Sequence, residues 1–202
     1  MFVLSVWLKL AMISIVLMLG GCASVFSAQL TRYQQWSDQT QGARYWVQPD
    51  AAQQNNLQFQ TFSDAVRAAL GPTGLVEAQS QKQARFIVHI EYGSEQTTEW
   101  RQQMVDPYFS GAFGGGFGYH RHWGGWGPGP VIETVPVEVN RVHLMVRIDD
   151  QSKQGQEVYR ATAVTSARDN QLGAVMPYLA RAVFEQFPGR NGQVVRVKYP
   201  LP

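Results

Sequence analysis

The chain has 202 residues with 17 Lys and Arg against 15 Asp and Glu, and a single cysteine. Near-neutrality without a clustered basic stretch argues against nucleic acid as a partner, because phosphate neutralisation needs a concentrated cationic surface. One cysteine excludes an intramolecular disulfide, even in an exported compartment that would permit one.

The first residues, "MFVLSVWLKLAMISIVLMLGGCAS", carry one cation, Lys9, then an apolar run from Leu10 to Leu19 and small residues before Cys22. This is the layout of a secretory signal, too short for a comfortable membrane span of ~20 apolar residues. Leu19-Gly20-Gly21-Cys22 resembles the bacterial lipobox, whose cysteine thiolate takes up diacylglycerol before the preceding bond is cut. The residues flanking Cys22 are small enough for that peptidase, and lipidation is the economical use of a lone cysteine. The expected organisation is a leader over 1–21, a lipidated tether over 22–28 and one domain over 29–202. Several acyl chains anchor firmly where one holds only marginally. Ala23 follows the cysteine where, in enteric bacterial lipoproteins, an aspartate favours inner-membrane retention. The resemblance therefore implies the periplasmic face of the outer membrane.

Along the mature chain, "SAQLTRYQQW" and "ARYWV" have strand character and flank the polar turn 37–42, which reads as a hairpin. In "TFSDAVRAALGPTG", Phe62, Val66, Ala69 and Leu70 recur at helical spacing, with Thr61 or Ser63 as cap and Gly71-Pro72 as stop, predicting a helix over 62–70. "GLVEAQ" returns to a short strand. In "ARFIVHIEY" the alternation of Phe86, Val88, Ile90 and Tyr92 predicts a half-buried strand, which "SEQTTEWRQQMV" continues or pairs with. Residues 131–148 alternate again, first at Val135, Val137 and Val139, then at Val142, Leu144, Val146 and Ile148. The change of phase near Asn140 predicts a bulge or bend. Residues 149–155, "DDQSKQG", form a polar turn, and "QEVYRATAVTSA" returns as the partner strand. "GAVMPYLARAVFEQFPG" predicts a second helix over 174–187, with Pro177 in its first turn and Pro188-Gly189 ending it. "QVVRVKY" is a last strand.

"LQFQTFSDAVRAALGPTGL", "ARFIVHIEY", the glycine-aromatic stretch, "VHLMVRIDDQSKQGQEVYRATA" and "YLARAVFEQFPG" resemble, in this order, the lipoprotein family called domain of unknown function 4136. The resemblance covers most of the mature chain and implies compartment and fold, but no catalytic role. Arg85 departs from it, standing where that family often has an acidic residue. Tyr159-Arg160-Ala161 departs too, replacing a tryptophan-basic-glycine pattern.

Residues 109–130 hold nine glycines, two histidines, no acidic residue and six aromatics: Phe109, Phe113, Phe117, Tyr119, Trp123 and Trp126. Glycine raises the cost of ordering a backbone, so the stretch reads as a long mobile connection inserted between strands. Three uses are open to it. It is a tolerated surface insertion; or its rings contact a membrane interface, a cell-wall polymer or an envelope protein; or His120 and His122 bind zinc, copper or nickel. The third use lacks a third ligand, which a structural or catalytic zinc needs.

His89 and His143 fall opposite apolar rows on strands that could pair, where satisfied strand histidines compete with a pH-sensing pair. No Gly-x-Ser-x-Gly elbow is present, and lipidation removes the thiol. Asp149-Asp150 is explained by turn chemistry, and Glu91, Glu95 and Glu99 by a solvated strand face. "GAFGGGFG" lacks the lysine-serine ending of a phosphate-binding loop. These observations predict a non-enzymatic protein with no cofactor. The fold expected is α+β: a mostly antiparallel sheet with two helices packed on one face, tethered through Cys22. Its expected role is a binding or structural part of the cell envelope, or else an accessory subunit docking through the aromatic loop.

Overall fold

The computed structural model describes residues 25–37, 39–105, 131–167 and 172–201. They form one seven-stranded sheet, ordered β3-β2-β4-β5-β6-β1-β7, and two α-helices. The strands are β1 (Val25–Gln34), β2 (Arg44–Val47), β3 (Val76–Glu77), β4 (Phe86–Val105), β5 (Val131–Asp150), β6 (Gln156–Ala167) and β7 (Gln193–Pro200). The helices are α1 (Leu57–Leu70) and α2 (Leu172–Val183).

The sheet is mixed rather than mostly antiparallel throughout. β2 runs parallel to both β3 and β4, pairing Tyr45 with Glu77 and with Phe86. The hairpin expected between the first two strands does not form: β1 pairs antiparallel with β6 and β7 instead. The reason lies in the connections. β2, α1 and β3 are a strand, a helix and a strand in succession, and a helical crossover is what lets parallel neighbours pair. β1 also begins at Val25, so residues 25–28 of the expected tether belong to the sheet.

Both helices begin earlier than their apolar spacing predicts. α1 is capped by Asn56, whose side chain accepts from the Gln58 and Phe59 backbone N–H groups. Such a cap satisfies donors that helical bonding leaves free. α1 buries Phe59, Phe62, Val66 and Leu70, one stripe at helical spacing. α2 starts at Leu172 and gives way to turns after Val183, which places Pro177 in its second turn and not its first. The Gly173 carbonyl thereby forgoes its usual donor.

The stripes of both helices meet one face of the sheet. Leu30, Val88, Leu144, Val146, Ile148, Tyr159 and Ala161 join Val66, Leu70, Met176 and Leu179 in a single core. At one end Trp36 stacks on Phe86 at 4.8 Å and meets Phe187 edge-on at 4.7 Å. The opposite sheet face carries His89, Glu91, Met145, Arg147, Asp149 and Arg160, as the alternation along paired strands requires.

The expected bulge near Asn140 is absent. β4 and β5 pair without a break from Phe86↔Asp150 to Val105↔Val131. The change of phase has another meaning: Val135, Val137 and Val139 lie on the open face, whereas Val142 to Ile148 lie on the helix face. The irregularity sits instead between Ile148 and Asp149, in the β5–β6 pairing. β5, the turn 151–155 and β6 form the expected hairpin, with Gln154 and Gly155 at positive φ.

Candidate functional site

β2 flanks β4 only over residues 86–88, and β6 flanks β5 only from Asn140 onward. From Thr97↔Val139 to Val105↔Val131 the two strands continue as a ribbon paired with no other described strand. At ~3.4 Å per residue this arm is about 27 Å long. Its open face is held by Glu99, which meets Arg101 at 3.2 Å and Arg141 at 3.6 Å over the half-buried Val137 and buried Val139. Its helix-side face carries Trp100↔Pro136, Gln102↔Thr134 and Met104↔Ile132, all exposed and none charged.

The arm leaves the sheet at the end where the chain enters it. Gln29 pairs with Val164, which pairs with His143, so β1 runs alongside β5 in the same direction and Val25 stands level with Val139 and Thr97. α1 begins at this end too, since Phe62 meets Tyr92 edge-on at 4.7 Å and Gln53 Nε2 donates to the Ile90 carbonyl at 2.8 Å.

A second cluster lies on the open face. His89 Nε2 is 3.2 Å from Asp149 Oδ2, and Arg147 Nε is 3.3 Å from Asp149 Oδ1. Burial lowers the His89 pKa and the Arg147 guanidinium lowers it further, outweighing the Asp149 carboxylate that raises it. The imidazole is therefore neutral at neutral pH. A recess of about 200 Å³ beside it is lined by Gln48, Asp50, Gln53, Glu91, Met145 and Arg147 along with His89. No serine, threonine or cysteine lines it, and its polar groups are the imidazole, the Arg147 guanidinium, the Gln48 and Gln53 amides and the Asp50 and Glu91 carboxylates. His143 shares this face but is not a neighbour of His89. It stands opposite Gly93, with Glu91 and Met145 between the two, and its ring fills the space where a Cβ on Gly93 would lie 2.7 Å from Cε1.

Asp149 and Asp150 point to opposite sides of the sheet. Asp150 is buried on the helix side, where Arg85 Nη2 donates to Oδ2 at 2.9 Å and the Ser152 backbone N–H and hydroxyl both donate to Oδ1. Burial alone would raise this carboxyl's pKa, yet the bonds from Arg85 and Ser152 hold it below the usual carboxylate range. The unusual Arg85 is thus the partner of a buried acid. The other departure, Tyr159, is fully buried, donates its hydroxyl to the Val183 carbonyl at the end of α2, and has its pKa pushed up to about 12 by burial.

Leu19, Gly20, Gly21 and Cys22 lie outside the described residues, as do Phe109, Phe113, Phe117, Tyr119, His120, His122, Trp123 and Trp126. Trp100, Met104 and Ile132, which carry the arm's exposed surface, escaped sequence reasoning because their meaning depends on where flanking strands stop. Among the described residues no three His, Cys, Asp or Glu side chains are grouped to hold a metal ion, and no helix is long and apolar enough to cross a membrane.

The fold defines an α+β domain with helices on one sheet face and a projecting two-stranded arm. The chain belongs to the family described as "Domain of unknown function (DUF4136)", which matches residues 29–189. A crystal structure of a PDZ domain protein from Parabacteroides distasonis is similar in fold, with a TM-score of 0.54 at 12% identity. That similarity covers 87% of this chain and 39% of the other, so the chain spans well under half of that protein. The PelC dodecamer from Paraburkholderia phytofirmans aligns with a TM-score of 0.45 at 13% identity, over 81% of this chain and 99% of that one. No curated protein matches the sequence.

Proposed function

We propose that this chain is a lipid-anchored component of the bacterial cell envelope, held through Cys22 at the periplasmic face of the outer membrane and acting by binding rather than by catalysis. The lipobox-like Leu19-Gly20-Gly21-Cys22 and the Ala23 that follows it support the anchor and its destination. The observation that carries the reading is the shared end of the sheet: the chain enters β1 at Val25 on the side from which the arm projects. Only Ala23 and Ser24 stand between Cys22 and Val25, so the three steps along the chain reach at most about 10 Å. An acylated Cys22 therefore keeps the base of the arm close to the bilayer.

Intact-mass and peptide analysis of the protein from its native host tests this reading. Loss of residues 1–21 with diacylglycerol on Cys22 is the expected result; a free thiol or a retained leader overturns it. Density separation of the membranes should place the protein in the outer fraction.

A second reading, an accessory subunit of an envelope complex, gains support from the arm's two edges, which pair with no other strand among the described residues, since open strands accept partner strands. Crosslinking in intact cells from positions such as Gln103 distinguishes the two. A single discrete protein adduct favours the subunit, and adducts to lipid or cell-wall polymer favour the first reading.

A further inference from the structure

We propose that the helix-side face of the arm tip, built from Trp100, Pro136, Met104 and Ile132, docks on a lipid surface. Among the described residues, most of the large hydrophobic side chains left in water stand at this end of the sheet. Trp100 is 68% exposed, Met104 68% and Ile132 62%, and they form one cross-strand patch with Pro136. Val25 and Leu57, also largely exposed, stand at the same end, the first where β1 begins and the second at the start of α1.

The patch is chemically one-sided. From Trp100 to Met104 and from Ile132 to Pro136 the helix-side face carries no charge, while Arg101 and Glu133 project from the other face. The first charge on the helix side is Glu138, nearer the body and bonded by Gln96 Nε2 at 2.9 Å. A ribbon with one uncharged, tryptophan-bearing face and one charged face suits the plane of a membrane interface, as an amphipathic helix does.

Its size favours lipid over protein. Three cross-strand pairs on two strands cover an area on the order of 10 Å by 17 Å. A specific protein interface takes roughly 800 Å² from each partner. The patch is too small for that, but large enough to supplement an anchor. Chain length agrees: the three steps from Cys22 to Val25 span the same rise as the three from Val139 to Pro136, so the Trp100–Pro136 pair stands at the greatest height Cys22 can reach. The inference rests on the anchored reading for the presence of a bilayer, and its test omits the anchor so that the two fail separately.

Residues 23–202, which contain every described element and no Cys22, are mixed with vesicles of phosphatidylethanolamine and phosphatidylglycerol and floated on a density gradient. The unlipidated protein is expected to float with the vesicles. The triple variant Trp100→Ser, Met104→Ser, Ile132→Ser should lose that binding about tenfold or more, with an unchanged circular dichroism spectrum and melting temperature. Val76→Ser and Val194→Ser, at exposed positions away from the arm, should bind as the parent does. Failure of the parent to float, equal flotation of the triple variant, or equal loss in the Val76 and Val194 variants overturns the proposal. None of these outcomes bears on whether Cys22 is acylated in the cell.

Discussion

The Arg32 guanidinium and Gly189 share one small space beyond the end of α2. Arg32 Nη2 donates to the Glu185 carbonyl, and a Cβ on Gly189, whose φ is +69°, would overlap the guanidinium. Arg32 is 2% exposed and makes no ion pair among the described residues. Its positive charge sits against the Glu185 carbonyl, two residues beyond the end of α2, where such charge is favoured. Gly189→Ala therefore combines steric overlap with a left-handed backbone and should cost about 2 kcal/mol or more. Arg32→Met removes the overlapped group, so the double variant should be less destabilised than the sum of the two single changes. Urea denaturation of the three variants measures this, and strict additivity would show that the two residues act independently.

Asp150 makes a different kind of anchor, a buried carboxylate joining the start of β4 to the β5–β6 turn. Removing its charge with Asp150→Asn leaves Arg85 and Ser152 with a poorer acceptor and should cost about 1–3 kcal/mol near neutral pH. Because its folded pKa lies below the unfolded value of ~3.9, the stabilisation is present above that value and is lost as pH falls through the folded pKa. The gap between parent and Asp150→Asn should narrow between about pH 7 and pH 3. Denaturant midpoints at the two pH values test this, and a constant gap would assign the loss to packing.

These anchors also mark how far the sequence could be read. The alternation of Phe86, Val88, Ile90 and Tyr92 and the spacing of Phe62, Val66 and Leu70 announce a strand and a helix, because each pattern reflects which side chains meet the core. Periodicity says nothing about which strands pair. Proximity in sequence therefore suggested β1 with β2, although the strand-helix-strand order of β2, α1 and β3 was a signal for parallel pairing. The valines before Asn140 show the same limit: they change face relative to the core, and alternation alone cannot separate that from a bulge. Leu57 is exposed, so it lies off the apolar stripe, and the first turn of α1 is signalled by Phe59, three residues before Phe62, and by the capping chemistry of Asn56. The aromatic-rich stretch 109–130 stands out by composition but lies outside the described residues, Glu99 reads in sequence as one of a solvated row, and the arm surface emerges only from the registers.

His89 shifts stability with pH in the same direction as Asp150, although here the fold favours the neutral form and not the charged one. Its folded pKa is depressed below the ordinary ~6.5 by burial and by Arg147, despite the neighbouring Asp149. Between the folded value and ~6.5 the unfolded chain binds more protons, so His89 makes stability fall as pH drops through that interval. His89→Asn should remove part of the loss between about pH 7.5 and pH 5.5. NMR titration of the imidazole Cε1 proton checks the cause directly, and a midpoint at or above 6.5 would contradict it.

The arm should be dispensable for folding. Beyond Asn140 it contributes little to the core, and a free two-stranded ribbon is at best marginally stable in water. The Val88 and Ile90 carbonyls face away from β5, where Gln48 N and Gln53 Nε2 donate to them. The alternate pairs, including Glu95↔Arg141, are therefore the ones that exchange backbone hydrogen bonds, as the flanks of a two-residue turn do. By the same parity Pro136, opposite Trp100, turns its nitrogen outward, where the missing N–H costs no ladder bond. Replacing residues 96–140 with an Asn-Gly turn between Glu95 and Arg141 should shorten the hairpin without disturbing the sheet. The melting temperature is expected to stay within about 4 °C of the parent, corresponding to roughly 1 kcal/mol for a domain of this size. Amide exchange in the parent should be fast over 97–104 and slow over 86–90. A large drop in melting temperature, or slow exchange along the whole of β4, would make the arm an integral part of the fold.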